Sequence, residues 1–66
     1  MSQHLTPRED EIMRVIASRP GNDRSAKAVA MQLGLSPKTI SSHLRCIFIK
    51  LGVHKRNEAV EKLQLV

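Results

Sequence analysis

Sixty-six residues with a net charge of +5 and a single aromatic side chain, Phe48, allow one domain built on a small aliphatic core. No apolar run approaches the roughly 20 residues that cross a bilayer, the opening MSQHLTPRED lacks the apolar middle of a signal peptide, and the lone Cys46 permits no internal disulfide. These features point to a soluble cytoplasmic domain that sits near the margin of independent stability, since a chain this short buries only about 60% of its unfolded surface.

The charge is unevenly placed. Residues 1–36 hold five basic residues against four acidic ones, whereas residues 37–66 hold six against two. Between Asp23 and Glu58 there is no carboxylate at all, yet seven Lys or Arg fall in that interval. A small domain with one-sided positive charge repels itself unless it meets an anionic partner. Nucleic acid is the first candidate, with an acidic membrane surface behind it.

Four helices are expected, making an all-α fold. The first, about residues 7–18, starts at Thr6-Pro7-Arg8-Glu9, where Thr6 caps, Pro7 suits the first helical position and Glu9 completes a capping box. Ile12, Val15 and Ile16 then recur at helical spacing until Pro20-Gly21-Asn22 breaks the pattern. The second, about 25–33, begins at the cap Ser25, buries Val29 and Leu33, and stops at Gly34. The third, about 36–51, begins at Ser36-Pro37 and is closed by Gly52. A last helix, about 57–65, places Ala59, Val60 and Leu63 on one side.

Helices two and three, joined at Gly34-Leu35-Ser36, have the spacing of a helix-turn-helix. Ala30 is small where two helices cross closely, Gly34 supplies a left-handed turn, and Ile40 points back to the core. On helix three, Ile40, Leu44, Ile47, Phe48 and Leu51 form the stripe expected to be buried. Lys38, Ser42, Arg45, Cys46 and Ile49 lie opposite, flanked by Ser41, Thr39 and Lys50. Small hydroxyl side chains let a helix sink close to a groove floor, and long cationic arms reach phosphates or guanine edges. The helix contains no carboxylate, so its positive charges have no partner within it.

Other chemistry finds little support. Ser42 and His43 are adjacent and diverge by about 100° around the helix, so they cannot act as nucleophile and base. His43 and Cys46 are three apart, but a structural zinc needs four ligands, and His4 and His54 fall at no recognisable spacing. No cofactor, metal site or catalytic site is expected.

Taken in order, these segments resemble the DNA-binding domain of LuxR/FixJ-type bacterial transcription regulators, the GerE-like helix-turn-helix. Leu5-Thr6-Pro7-Arg8-Glu9 followed by Glu11-Ile12-Met13 is similar to that family's opening LTPRE-x-EVL element. Ser25-Ala26-Lys27-Ala28-Val29-Ala30 is similar to SNKEIA, Leu33 to Ile40 to LGIS-x-x-TV, and His43 with Lys50-Leu51-Gly52-Val53 to H…KLGV, before Arg56-Asn57-Glu58-Ala59-Val60 closes the pattern. The resemblance implies four helices with the third in the major groove of double-stranded DNA. It implies base contacts from Ser41, Ser42 and Arg45, and phosphate contacts from Thr39, Lys50, Lys27 and His43, to which the charge pattern adds Lys38. A homodimer contact on the last helix would use Ala59, Glu61 and Lys62, and RNA polymerase is a further partner the reading allows. The competing reading is a helical protein-interaction module acting through helix 57–65.

The chain departs from the family's pattern in three ways. The link from Ser18 to Arg24 is about four residues longer than usual, and Arg19 and Arg24 within it offer extra contacts to a nucleic-acid backbone. Ser41 and Ser42 stand where long basic or branched apolar side chains are common, which shifts the expected target sequence. Ile49 faces outward in place of a polar residue and offers a contact to a neighbouring domain or subunit.

Overall fold

Thr6 starts the first helix by a reciprocal pair of hydrogen bonds. Its hydroxyl accepts from the Glu9 backbone N–H at 3.1 Å, while its own N–H donates to Glu9 Oε1 at 2.9 Å. In the computed structural model, which describes residues 5–63, helix α1 runs Pro7–Ser18, α2 Ala26–Leu33, α3 Pro37–Leu51 and α4 Arg56–Leu63. The expected architecture is therefore observed: four helices and, among the described residues, no strand. The α4 boundary shifts by one residue at its start, where Glu58 Oε1, in the first turn, accepts from the His54 N–H at 3.0 Å. Residues 64 and 65 of the expected helix lie outside the described residues.

Helices α2 and α3 begin as the serines dictate. Ser25 accepts from the Ala28 N–H and Ser36 from the Thr39 N–H, each at 3.1 Å. Gly34 and Gly52 end these helices at φ +72° and +70°, a left-handed conformation that a β-carbon makes costly. The Leu35 N–H then donates to the Ala30 carbonyl at 2.9 Å, locking the turn that sets α3 against α2. Ala30 is fully buried there.

The core is aliphatic, made by Ile12, Met13 and Ile16 of α1, Val29 and Ala30 of α2, Ile40, Leu44, Ile47 and Leu51 of α3, and Ala59 and Val60 of α4. Two apolar positions differ from expectation. Phe48 is only half-buried and Leu33 likewise, each packing against the edge of the core. Phe48 lies at the border of the α3 stripe, where the domain is too small to cover a ring on every side. Helices α1 and α3 each pack on all the others, whereas α2 and α4 do not pack on each other.

The long link between α1 and α2 is tied down. Asp23 N–H donates to the Pro20 carbonyl at 2.9 Å. Arg19 reaches the Asp23 carboxylate at 2.7 Å and Gln32 Oε1 at 2.7 Å, and Arg24 Nε donates to the Arg19 carbonyl at 3.0 Å. Arg24 also donates to Asn57 Oδ1 at 2.6 Å, which joins the link to α4. Both arginines thus have structural partners: Arg19 is paired with a carboxylate, whereas Arg24 is held by two uncharged oxygens and keeps its charge.

Candidate nucleic-acid interface

Because Ile40, Leu44, Ile47 and Leu51 turn inward, helical geometry carries Lys38, Ser41, Ser42, Arg45, Cys46 and Ile49 outward, and all six are exposed. Among the described residues, no carboxylate pairs with Lys38 or Arg45, and neither Ser41 nor Ser42 uses its hydroxyl in the fold. This face therefore keeps its hydrogen-bonding capacity for a partner. Lys27, on α2, is exposed and unpaired in the same sense. Thr39 is half-buried, and its hydroxyl lies 2.9 Å from Ser36 Oγ, so it is partly occupied by the start of its own helix. His43, four residues on from Thr39, is half-buried on the same flank.

Lys50 is different. Its Nζ lies 2.6 Å from Glu9 Oε1, whose residue is only 5% exposed. As expected, the partner does not come from α3 itself: the carboxylate is supplied by α1, 41 positions away. Burial pushes the Glu9 carboxyl up. The hydrogen bond from Lys50, the Thr6 backbone N–H, the Lys50 charge and the Thr6 hydroxyl outweigh burial and hold it below its ordinary value. The pair engages one of the three Nζ donors, and the side chain is more than a third exposed, so the others stay open to solvent.

The sign of the Glu9 shift fixes a pH dependence. A folded-state pKa below the unfolded one contributes stability that is present above the unfolded value, and it is lost as pH falls through the folded one. Glu9→Gln is expected to lower stability at pH 7 by about 1 kcal/mol, since Lys50 is more than a third exposed and rehydrates when released. The deficit should shrink towards zero as pH falls below the glutamate range. Urea unfolding at pH 7 and pH 3 measures both; an equal deficit at the two values would count against the pair.

Ala59 cannot serve as a dimer contact. It is fully buried in the domain's own core, because α4 must present one face to α1 and α3. Glu61 and Lys62 lie on the exposed side.

One residue beside the exposed α3 face was missed by sequence reasoning. Arg56, at the start of α4, lines a shallow hollow of about 270 Å³ with Ser41, Leu44, Arg45 and Phe48. Its position in the carboxylate-free interval was the available signal, but nothing local places the start of α4 beside the middle of α3. Among the described residues, no three His, Cys, Asp or Glu side chains gather as metal ligands, and no helix is long and apolar enough to cross a membrane.

A short helix, a left-handed glycine turn and a second helix with a bare cationic face define a helix-turn-helix domain. The chain belongs to the family described as bacterial regulatory proteins, luxR family (GerE), which it matches over residues 3–63; this is a family of DNA-binding transcription regulators. It is 38% identical over 60 residues to the HTH-type transcriptional regulator MalT of Yersinia pestis (strain Pestoides F) and, to the same degree, to that of Serratia proteamaculans (strain 568). Each match covers 91% of this chain and 6% of the relative's length, so the chain spans a small part of these proteins. No solved structure matches it.

Proposed function

We propose that this domain binds double-stranded DNA sequence-specifically, with α3 in the major groove, as part of transcription regulation in the bacterial cytoplasm. The observation that carries this is the face of Lys38, Ser41, Ser42 and Arg45: exposed, cationic, and without a carboxylate partner among the described residues. Arg45 has the fork geometry to bridge guanine O6 and N7, and the two serines accept or donate at close range. Lys27, Lys38 and Thr39, with His43 on the flank, hold backbone phosphates, α2 lying across the strand. Lys50 contributes chiefly by fixing α3 against α1, through Glu9. One such domain binds weakly, so pairing on a two-fold-symmetric site through the exposed side of α4, at Glu61 and Lys62, supplies the remaining affinity.

The test is a titration with mixed-sequence and with selected duplex at two salt concentrations. Binding should weaken steeply with salt, by about 0.9 in log K per unit log salt for each phosphate contacted. Selected duplex should bind more tightly by at least tenfold. Absence of binding even at low ionic strength would remove the reading and favour a protein-interaction module acting through α4.

A further inference from the structure

We propose that the duplex is gripped at a second place outside α3: a cationic hollow between the start of α2 and the α3–α4 turn, which takes one backbone phosphate. This rests on the DNA-binding reading above. The hollow measures about 440 Å³ and is lined by Arg24, Ser25, Phe48, His54, Lys55 and Arg56, with asparagine and glycine completing it and no carboxylate on its wall. The two nearest carboxylates in sequence are already engaged, Asp23 by Arg19 at 2.7 Å and Glu58 by the His54 N–H at 3.0 Å.

The charge in this hollow is positioned but not neutralised. Arg24 is held by the Arg19 carbonyl and the Asn57 side-chain oxygen, and both acceptors are uncharged, so its full positive charge remains. Arg56 Nε is enclosed without a hydrogen-bond partner, and among the described residues no carboxylate pairs with this guanidinium. No described carboxylate pairs with Lys55. Guanidinium groups match the geometry of phosphate oxygens, and an ammonium adds a point charge.

The hollow is continuous with the recognition face. Phe48 and Arg56 line it and also line the hollow that Ser41 and Arg45 share. A strand that passes Ser41 and Arg45 therefore meets Arg56 next, then Lys55 and Arg24. The long link between α1 and α2 matters here, because the bonds of Arg24 to the Arg19 carbonyl and to Asn57 set it in place.

Lys55→Gln and Arg56→Gln test this, with Lys38→Gln as a comparison from the α3 face and far-UV circular dichroism to check folding. Each of the first two should reduce the salt slope of duplex binding by about 0.9 and leave the base preference in a randomised-site selection unchanged. A duplex carrying a single neutral methylphosphonate should identify one position where the parent loses affinity and Lys55→Gln loses no more. If both variants keep the parental slope while Lys38→Gln lowers it, the hollow does not touch DNA although α3 does, and the proposal is overturned alone. If the parent binds no duplex at low salt, the DNA reading and this proposal fall together. Inorganic phosphate that shifts the Lys55 and Arg56 amides, with the variants' duplex slope at the parental value, would make this a free-anion site and overturn it too. Lys55 is exposed, so Lys55→Gln decides the matter should Arg56→Gln unfold.

Discussion

Arg45→Ala is expected to weaken binding to the preferred duplex by about 10- to 100-fold, about 1–3 kcal/mol, and to relax the base preference at one position of the site. The magnitude follows from what Arg45 offers: a bidentate donor on an exposed helix face with no carboxylate partner among the described residues. Nothing in the fold depends on its charge, so the variant should keep parental stability to within about 0.5 kcal/mol. That combination separates readout from folding. Lys38→Ala should behave differently, weakening all sequences alike and lowering the salt slope, because a phosphate contact carries no base information. A randomised-site selection on Arg45→Ala that returns the parental preference would remove this residue from the readout.

Ile40→Ala should strongly destabilise the fold. Ile40 is fully buried, one turn into α3, where the helix packs on α2 and α1. Truncation removes transfer energy and leaves a cavity, about 2–5 kcal/mol in sum. Against a total of about 3–10 kcal/mol for a chain of this length, that is a large share. The unfolding midpoint should drop by roughly 10–30 °C, read by circular dichroism, and duplex binding at 37 °C should fall with the folded fraction. Ile49→Ala is the matched comparison: the same side chain on the same helix, but 74% exposed, with an expected change within about 0.5 kcal/mol. Comparable losses for the two would mean that α3 is turned about its axis relative to the structure described above.

The helix starts and stops were legible in the chain because each depends on atoms within about four residues. Thr6 with Glu9, Ser25 with Ala28, and Ser36 with Thr39 form bonds that a local pattern specifies. The two left-handed glycines, Gly34 and Gly52, are punctuation of the same kind. The inward stripe of α3 was likewise readable from its 3.6-residue period, and with it the outward position of Lys38, Ser41, Ser42 and Arg45, since a helix that buries one side must bare the other.

Tertiary structure decided what no local pattern encodes. Glu9 meets Lys50 across 41 positions and Arg24 meets Asn57 across 33, so which cations stay free depends on how the helices cross. The same crossings hide Ala59 in the core, leave Phe48 at its edge and carry Arg56 beside Ser41 and Arg45. A chain's periodicity says which face of a helix is apolar; only the packed arrangement says which distant charge comes within ion-pairing distance of it.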